Sequence, residues 1–362
     1  MKKYLFIIAT AAIVASCSKT DSFKDTQESP IDFTGVFVEK NTKGVISSAS
    51  DLHTPGFGVF GAKTTSTGVS QVFGQLSTET AGGTKVSYSS SAWTYTQKRY
   101  WDQEATRYDF FAYAPYNTSS LIGTIGWTAS SPTTSFTITG FKQSTTVANM
   151  VDILTATADR LKGNYTNTVD FTFSHILSNI CIKMAVSADL KADQTDNPVS
   201  VTSVTLGAIK MDGSYSYNTT ASKYEWNNSS QTTSPHTFTA NNKTGKTVVF
   251  EGGDLPSIAT STTGTDVSGL VDLLFVPQTL PTADGSKYAI NVTYKIAEES
   301  FSKTIYLNQF TKEGENNTTV ASSEWKPGYK YNYVLVIGPT PIEFGDPTIG
   351  SWTEETYTYT IQ

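Results

Sequence analysis

The chain of 362 residues is long enough for two domains of ordinary size. Only 16% of it is charged, against 38% hydrophobic and 12% aromatic, a balance that favours strands. A formal net charge of −6 argues against nucleic acid as a partner, and three histidines with two cysteines leave little for a metal site or disulfide framework.

In chain order, Met1–Ser16 reads as a signal peptide. Lys2 and Lys3 form its positive start, and Leu5–Val14 is an apolar run too short to span a bilayer comfortably. It closes on Val14-Ala15-Ser16-Cys17, which resembles the lipobox of bacterial lipoproteins and makes Cys17 the expected lipidation site. Several acyl chains on Cys17 would give a near-permanent outer-membrane anchor. Ordinary signal cleavage beside an incidental cysteine is the alternative. Residues 17–30 are polar, the composition of a flexible tether.

The first predicted strand is Ile31–Val38, IDFTGVFV, with Ile31, Phe33 and Phe37 as its apolar positions. A polar loop follows, carrying Lys40 and Lys43 ahead of Gly44. Further strands are expected at Phe57–Gly61 and Val72–Leu76, then in a hairpin over Val86–Tyr100. The aromatic run Arg107–Tyr116, Phe136–Phe141 and Val151–Ala156 complete the set. About seven short strands separated by turn signals suggest a β-sandwich over residues 31–165.

The stretch Val169–Val186 changes parity. Its apolar residues fall at odd positions up to Phe173 and at even positions from Ile180. A one-residue shift turns a strand's apolar set to the other face, so a bulge or bend is expected within Ser174–Asn179. The stretch reads as the opening strand of a second β-sandwich over residues 166–362. That half also holds strands at Val201–Met211, Tyr215–Tyr217, Tyr224–Trp226, Thr247–Phe250, Val271–Pro277, Tyr288–Ile296, Phe301–Leu307 and Tyr329–Ile337. Residues 231–246 and 252–269 read as exposed loops, Asp212-Gly213 as a turn, and Trp325–Gly328 as a turn in which glycine takes positive φ. The chain closes on YTYTIQ, whose alternating Tyr357, Tyr359 and Ile361 suggest a terminal strand. No helix longer than a couple of turns is expected.

Two strand-like ends carry a functional implication. A detachable edge strand invites replacement by a strand from another chain. Cleavage after Lys43, at the Lys43–Gly44 bond, would free Ile31–Val38 and expose an apolar groove. The Tyr357–Ile361 strand of a neighbour could fill it, and a contact of that unlike-surface kind propagates a filament. The alternative is that both are ordinary terminal strands.

Several stretches together are similar to the fimbrillin family, the type V pilus subunits of Gram-negative anaerobes. They are the lipobox, the segment Asn41–Gly44 after an early strand, Arg99–Tyr116, MVDILTA at Met150–Ala156, FTFSHILSNICIKMAV at Phe171–Val186, and WKPGYKY at Trp325–Tyr331 leading to Ile342–Phe344 and Trp352. The resemblance implies an all-β fold of two tandem transthyretin-like β-sandwiches, lipoprotein export to the cell surface, proteolytic release of the first strand, and assembly with other fimbrial subunits. The family commonly has arginine at the cleavage point, where this chain has Lys43.

No catalytic residue, metal ligand or cofactor fingerprint stands out. His175 reads as a buried histidine bonded to bulge backbone, and Cys181 as an inert structural thiol. The aromatics Tyr100, Trp101, Tyr108, Phe110, Phe111 and Tyr113 read as half core and half cross-strand pairs. The expected function is a structural or adhesive fimbrial subunit. The alternative is a monomeric surface lipoprotein that binds a glycan or host protein through exposed loops.

Overall fold

The structure is a computed structural model and describes residues 29–38, 46–74, 82–116, 122–144, 149–165, 168–186, 199–227, 236–239, 248–250, 265–266, 273–281, 288–309, 311–313, 319–321 and 323–338. Regular structure there is almost wholly strand, with short 3-10 turns such as Ala49–Leu52. The chain is an all-β protein.

In chain order the first strands are β1 (Phe33–Val38), β2 (Phe57–Thr65), β3 (Gly68–Phe73), β4 (Thr84–Ser89) and β5 (Ala92–Thr94). β6 (Arg107–Ala114), β7 (Thr124–Gly126), β8 (Thr137–Lys142), β9 (Leu154–Leu161) and β10 (Val169–His175) follow. Then come β11 (Ser178–Val186), β12 (Val199–Ile209), β13 (Asp212–Asn218), β14 (Lys223–Asn227), β15 (His236–Thr239) and β16 (Val248–Phe250). The last strands begin with β17 (Thr265–Asp266), β18 (Leu273–Phe275), β19 (Gln278–Thr279), β20 (Ala289–Ile296) and β21 (Glu299–Tyr306). β22 (Thr311–Glu313), β23 (Thr319–Ala321), β24 (Glu324–Trp325) and β25 (Lys330–Ile337) end the series.

The largest sheet runs β1-β10-β9-β6-β2-β4-β5, with β3 pairing on β2. It curls until β1, at one end of that order, comes close to β5 at the other. Inward residues therefore meet: Phe33, Phe57, Val59, Phe73, Phe110, Phe171 and Phe173 form one core inside the curl. The aromatic strand β6 is apolar on both faces. Tyr108, Phe110 and Ala112 face this inner core, while Phe111 and Tyr113 face a second one. There the sheet β7-β8-β13-β14 lies over it, with Phe136 stacked on Phe111 at 4.1 Å between centroids. The aromatic run is thus core on two sides rather than half core. Tyr100 alone of the six named residues is exposed.

The parity change is resolved by a change of sheet. β10 lies between β1 and β9, its Phe171 and Phe173 in the inner core, whereas β11 pairs with β17, β18 and β25. Ile176 and Leu177 join the two strands and turn into the second core, with the Trp226 indole donating to the Ile176 carbonyl at 2.6 Å. Val169–His175 is accordingly not the opening strand of a second sandwich; it completes the first sheet, because its odd-position aromatics fit that core. The pairing of β8 with β13 likewise links strands from either side of residue 165.

The second half carries β11 and β25 paired in parallel, and a sheet running β15-β12-β20-β21 with β16 also on β12. Two loop assignments change. His236–Thr239, expected in an exposed loop, is a strand on β12, and Thr265–Asp266 pairs with β11. Asp212-Gly213, expected as a turn, starts β13, where Gly213 pairs with Phe141. Gly328 takes φ +73° in the turn after Trp325, as read from the sequence.

Phe171 is fully buried and contacts Phe33, Phe57 and Phe173. Phe171→Ala should destabilise the protein by about 3–5 kcal/mol, read from denaturant unfolding monitored by tyrosine and tryptophan fluorescence.

Candidate functional site: the first strand and its groove

β1 is the terminal strand of its sheet and pairs in parallel with β10, a partner more than 130 residues away (Phe33↔Val169, Val38↔Phe173). Just before it, Ile31 N–H donates to the Arg99 carbonyl at 2.8 Å and Trp101 N–H to the Ser29 carbonyl at 3.1 Å. The Tyr95 hydroxyl donates to the Ile31 carbonyl at 2.5 Å. The start of the strand is thus clamped between β10 and the segment after β5. An exposed Lys98–Asp32 pair at 2.5 Å adds little, since solvent screens it.

The inward face is a wedge. Phe33 stacks on Phe171 at 5.6 Å and meets the edges of Phe57, Phe73, Tyr95 and Phe110 at 5.4–6.3 Å. Ile31, Val36 and Val38 are buried beside it. Phe37 is not: it points to solvent, 58% exposed. Simple alternation grouped Phe37 with Ile31 and Phe33, and a bulge explains the difference. The register shifts between Phe33 and Val36, so the inward positions after Phe33 are Val36 and Val38. At the bulge the Asp170 carboxylate accepts the Gly35 N–H at 2.9 Å, and Thr34 donates to Thr168 at 2.7 Å.

A second polar anchor lies at the far end of β10. His175 Nδ1 is 3.0 Å from Asp152 Oδ1, and Asp152 Oδ2 accepts the Ile46 N–H at 3.3 Å. The pair is almost wholly buried (His175 side chain 4% exposed, Asp152 0%) and lacks the access a general base needs. A buried carboxylate thus faces His175, for which a bond to bulge backbone was expected. Its role is to tie β10 to the chain where it returns at Ile46 after the first strand.

Burial pushes the Tyr95 phenol up to about 12, opposed by its hydrogen bond with the Arg99 N–H. Cys181 is a buried cysteine on β11. Among the described residues no cluster of three or more His, Cys, Asp or Glu could hold a metal ion. Cys17, Lys43, Gly44, Tyr357, Tyr359 and Ile361 lie outside the described residues. Sequence reasoning missed Tyr95, Asp152 and Asp170. Only Gly35, a glycine inside an alternating strand, signalled the bulge.

The family of fimbrillin-like proteins matches residues 49–352. The chain belongs to it. A curated relative, fimbrium subunit Fim1C of Phocaeicola vulgatus, is 26% identical, the match covering 98% of this chain and 97% of that one. A crystal structure of a fimbrial protein from Bacteroides vulgatus shares the fold with a TM-score of 0.57 at 21% identity, over 90% of this chain and 99% of that one. A putative cell adhesion protein from Bacteroides uniformis aligns over 90% and 98% of the two chains, with a TM-score of 0.48 at 14% identity.

Two predictions concern how this fimbrillin-like chain holds its first strand. Asp152→Ala removes the buried carboxylate that His175 and the Ile46 N–H share and should cost about 3 kcal/mol in denaturant unfolding. The second concerns Tyr95. Its folded-state value lies above the unfolded one near 10, so its contribution is whole below about pH 10 and is lost as pH rises through about 12. The stability difference between wild type and Tyr95→Phe should therefore shrink across that window.

Proposed function

We propose that the protein is a subunit of a surface fimbrium, exported as a lipoprotein on Cys17 and assembled with other subunits by strand exchange. The observation that carries the reading is the position of β1: a terminal strand of its sheet whose inward side chains nevertheless belong to the core. Removing it would bare the β10 edge and leave the pocket of Phe33 lined by Phe57, Phe73, Tyr95, Phe110 and Phe171. An unpaired edge over such a pocket is a template for another strand.

On this reading the Lys43–Gly44 bond is cut, Ile31, Phe33 and the rest of the strand leave, and a neighbour's Tyr357, Tyr359 and Ile361 enter. Donor and acceptor surfaces differ, so subunits add head to tail and the filament grows without closing. Membership of the fimbrillin-like family and the whole-length match to a fimbrium subunit support the placement at the cell surface. We also read the chain as two β-sandwich units, joined where β8 pairs with β13.

The test is the N-terminal sequence and oligomeric state of the mature protein taken from cells. A new N-terminus at Gly44 with ladders that resist mild denaturation is expected. An intact acylated Cys17 on a single monomeric species would overturn polymerisation. Deleting Tyr357–Gln362 should abolish the ladders and leave a folded monomer, read by size-exclusion chromatography.

A further inference from the structure

We propose that Asp170 determines which strand the groove beside β10 accepts, by demanding a glycine with a free N–H opposite it. The inference rests on the strand-exchange reading for its biological use, and on the β1–β10 geometry for its chemistry.

Between the pairs Phe33↔Val169 and Val36↔Phe171, β1 has two residues and β10 has one, Asp170. At that point the Asp170 carboxylate, not a ladder carbonyl, accepts the Gly35 N–H at 2.9 Å. The same side chain occupies the space a Cβ would need. A Cβ built on Gly35 would lie 2.3 Å from Asp170 Oδ1, 2.6 Å from Cγ and 2.8 Å from Cβ. Rotating the carboxylate away relieves the first two contacts but not the third, because Cβ moves only with the backbone. It would also forfeit the hydrogen bond.

A guanidinium flanks the carboxylate on its other side. Arg160 Nη2 lies 3.7 Å from Asp170 Oδ2 and donates to the Thr168 carbonyl, while Thr168 accepts from Thr34. Glycine is thus selected by close approach, not by an unusual φ. Proline is rejected because it has no N–H to give.

The groove in this form reads a definite pattern. It takes an aromatic residue, a glycine two positions later, and apolar residues three and five positions after the aromatic, as in Phe33, Gly35, Val36 and Val38. The chain's own tail, YTYTIQ, has an uninterrupted alternation and no glycine. Such a strand fits only if Asp170 gives way or the register changes. Asp170 therefore favours the resident strand over a regular incoming one and sets a threshold against premature exchange.

The experiment uses the full chain and two fluorescent synthetic peptides, PIDFTGVFV and its Gly35→Ala counterpart, with uptake followed on wild type and Asp170→Ala. Wild type should take up the glycine peptide about tenfold better, the range of one lost close contact and hydrogen bond. In Asp170→Ala the preference should fall below about twofold. Uptake with the same preference in both proteins, or with none in wild type, overturns the proposal. In parallel, Gly35→Ala is introduced into both full-length proteins and unfolding midpoints are compared. The substitution should lower the midpoint much more in wild type than in Asp170→Ala, and equal losses overturn the proposal. If neither peptide enters while this coupling is present, selection by Asp170 stands and exchange under these conditions falls.

Discussion

The first sheet depends on the insertion of Phe33 into a ring of aromatics drawn from distant parts of the chain. Phe57, Phe73, Tyr95, Phe110 and Phe171 all contact it, and they come from β2, β3, the segment after β5, β6 and β10. Aromatic rings bury large areas and gain further from edge and offset contacts, so such a cluster can dominate a small core. Because the sheet curls, one side chain on a terminal strand can reach residues from both ends of the strand order. The curl also explains why a strand with one full-length neighbour is buried: its inward face meets the opposite wall of the same sheet.

The same curl sets how far the fold can be read from the residues. Most strands of the first half are legible because period-two alternation and turn residues are local signals. The break in Val169–Val186 is legible for the same reason, since an apolar set cannot change parity without the chain bending. What the bend accomplishes is not a local property. Either a bulge within one strand or a passage between sheets satisfies the pattern, and the fit of Phe171 and Phe173 beside Phe33 and Phe57 decides for passage. The parallel pairings of β1 with β10 and β11 with β25 leave no short-range trace. Asp152 and Asp170 look like ordinary polar residues until the fold brings Ile46, His175 and Gly35 to them. His236–Thr239 was hidden by its polar surroundings, which read as loop; its pairing on β12 is tertiary.

β1 is at once core and periphery, and the energetics of exchange follow from that double character. Burial of a Val, Ile or Phe side chain contributes about 1.5–3 kcal/mol, so Ile31, Phe33, Val36 and Val38 together rival the whole stability of a typical domain. A strand worth that much leaves an intact chain only in rare excursions, so exchange into the intact chain is slow. An incoming strand that refills the same pockets recovers most of the loss, which makes exchange nearly neutral overall. The bias then comes from connectivity. While β1 is joined to the chain, it competes at the millimolar effective concentration of a short linker, and a second molecule's strand cannot match this. Cutting the connection removes that advantage without altering one contact in the groove. On the strand-exchange reading, proteolysis between β1 and Ile46 removes the connectivity that favours the resident strand, and Asp170 then sets which incoming strand the groove admits.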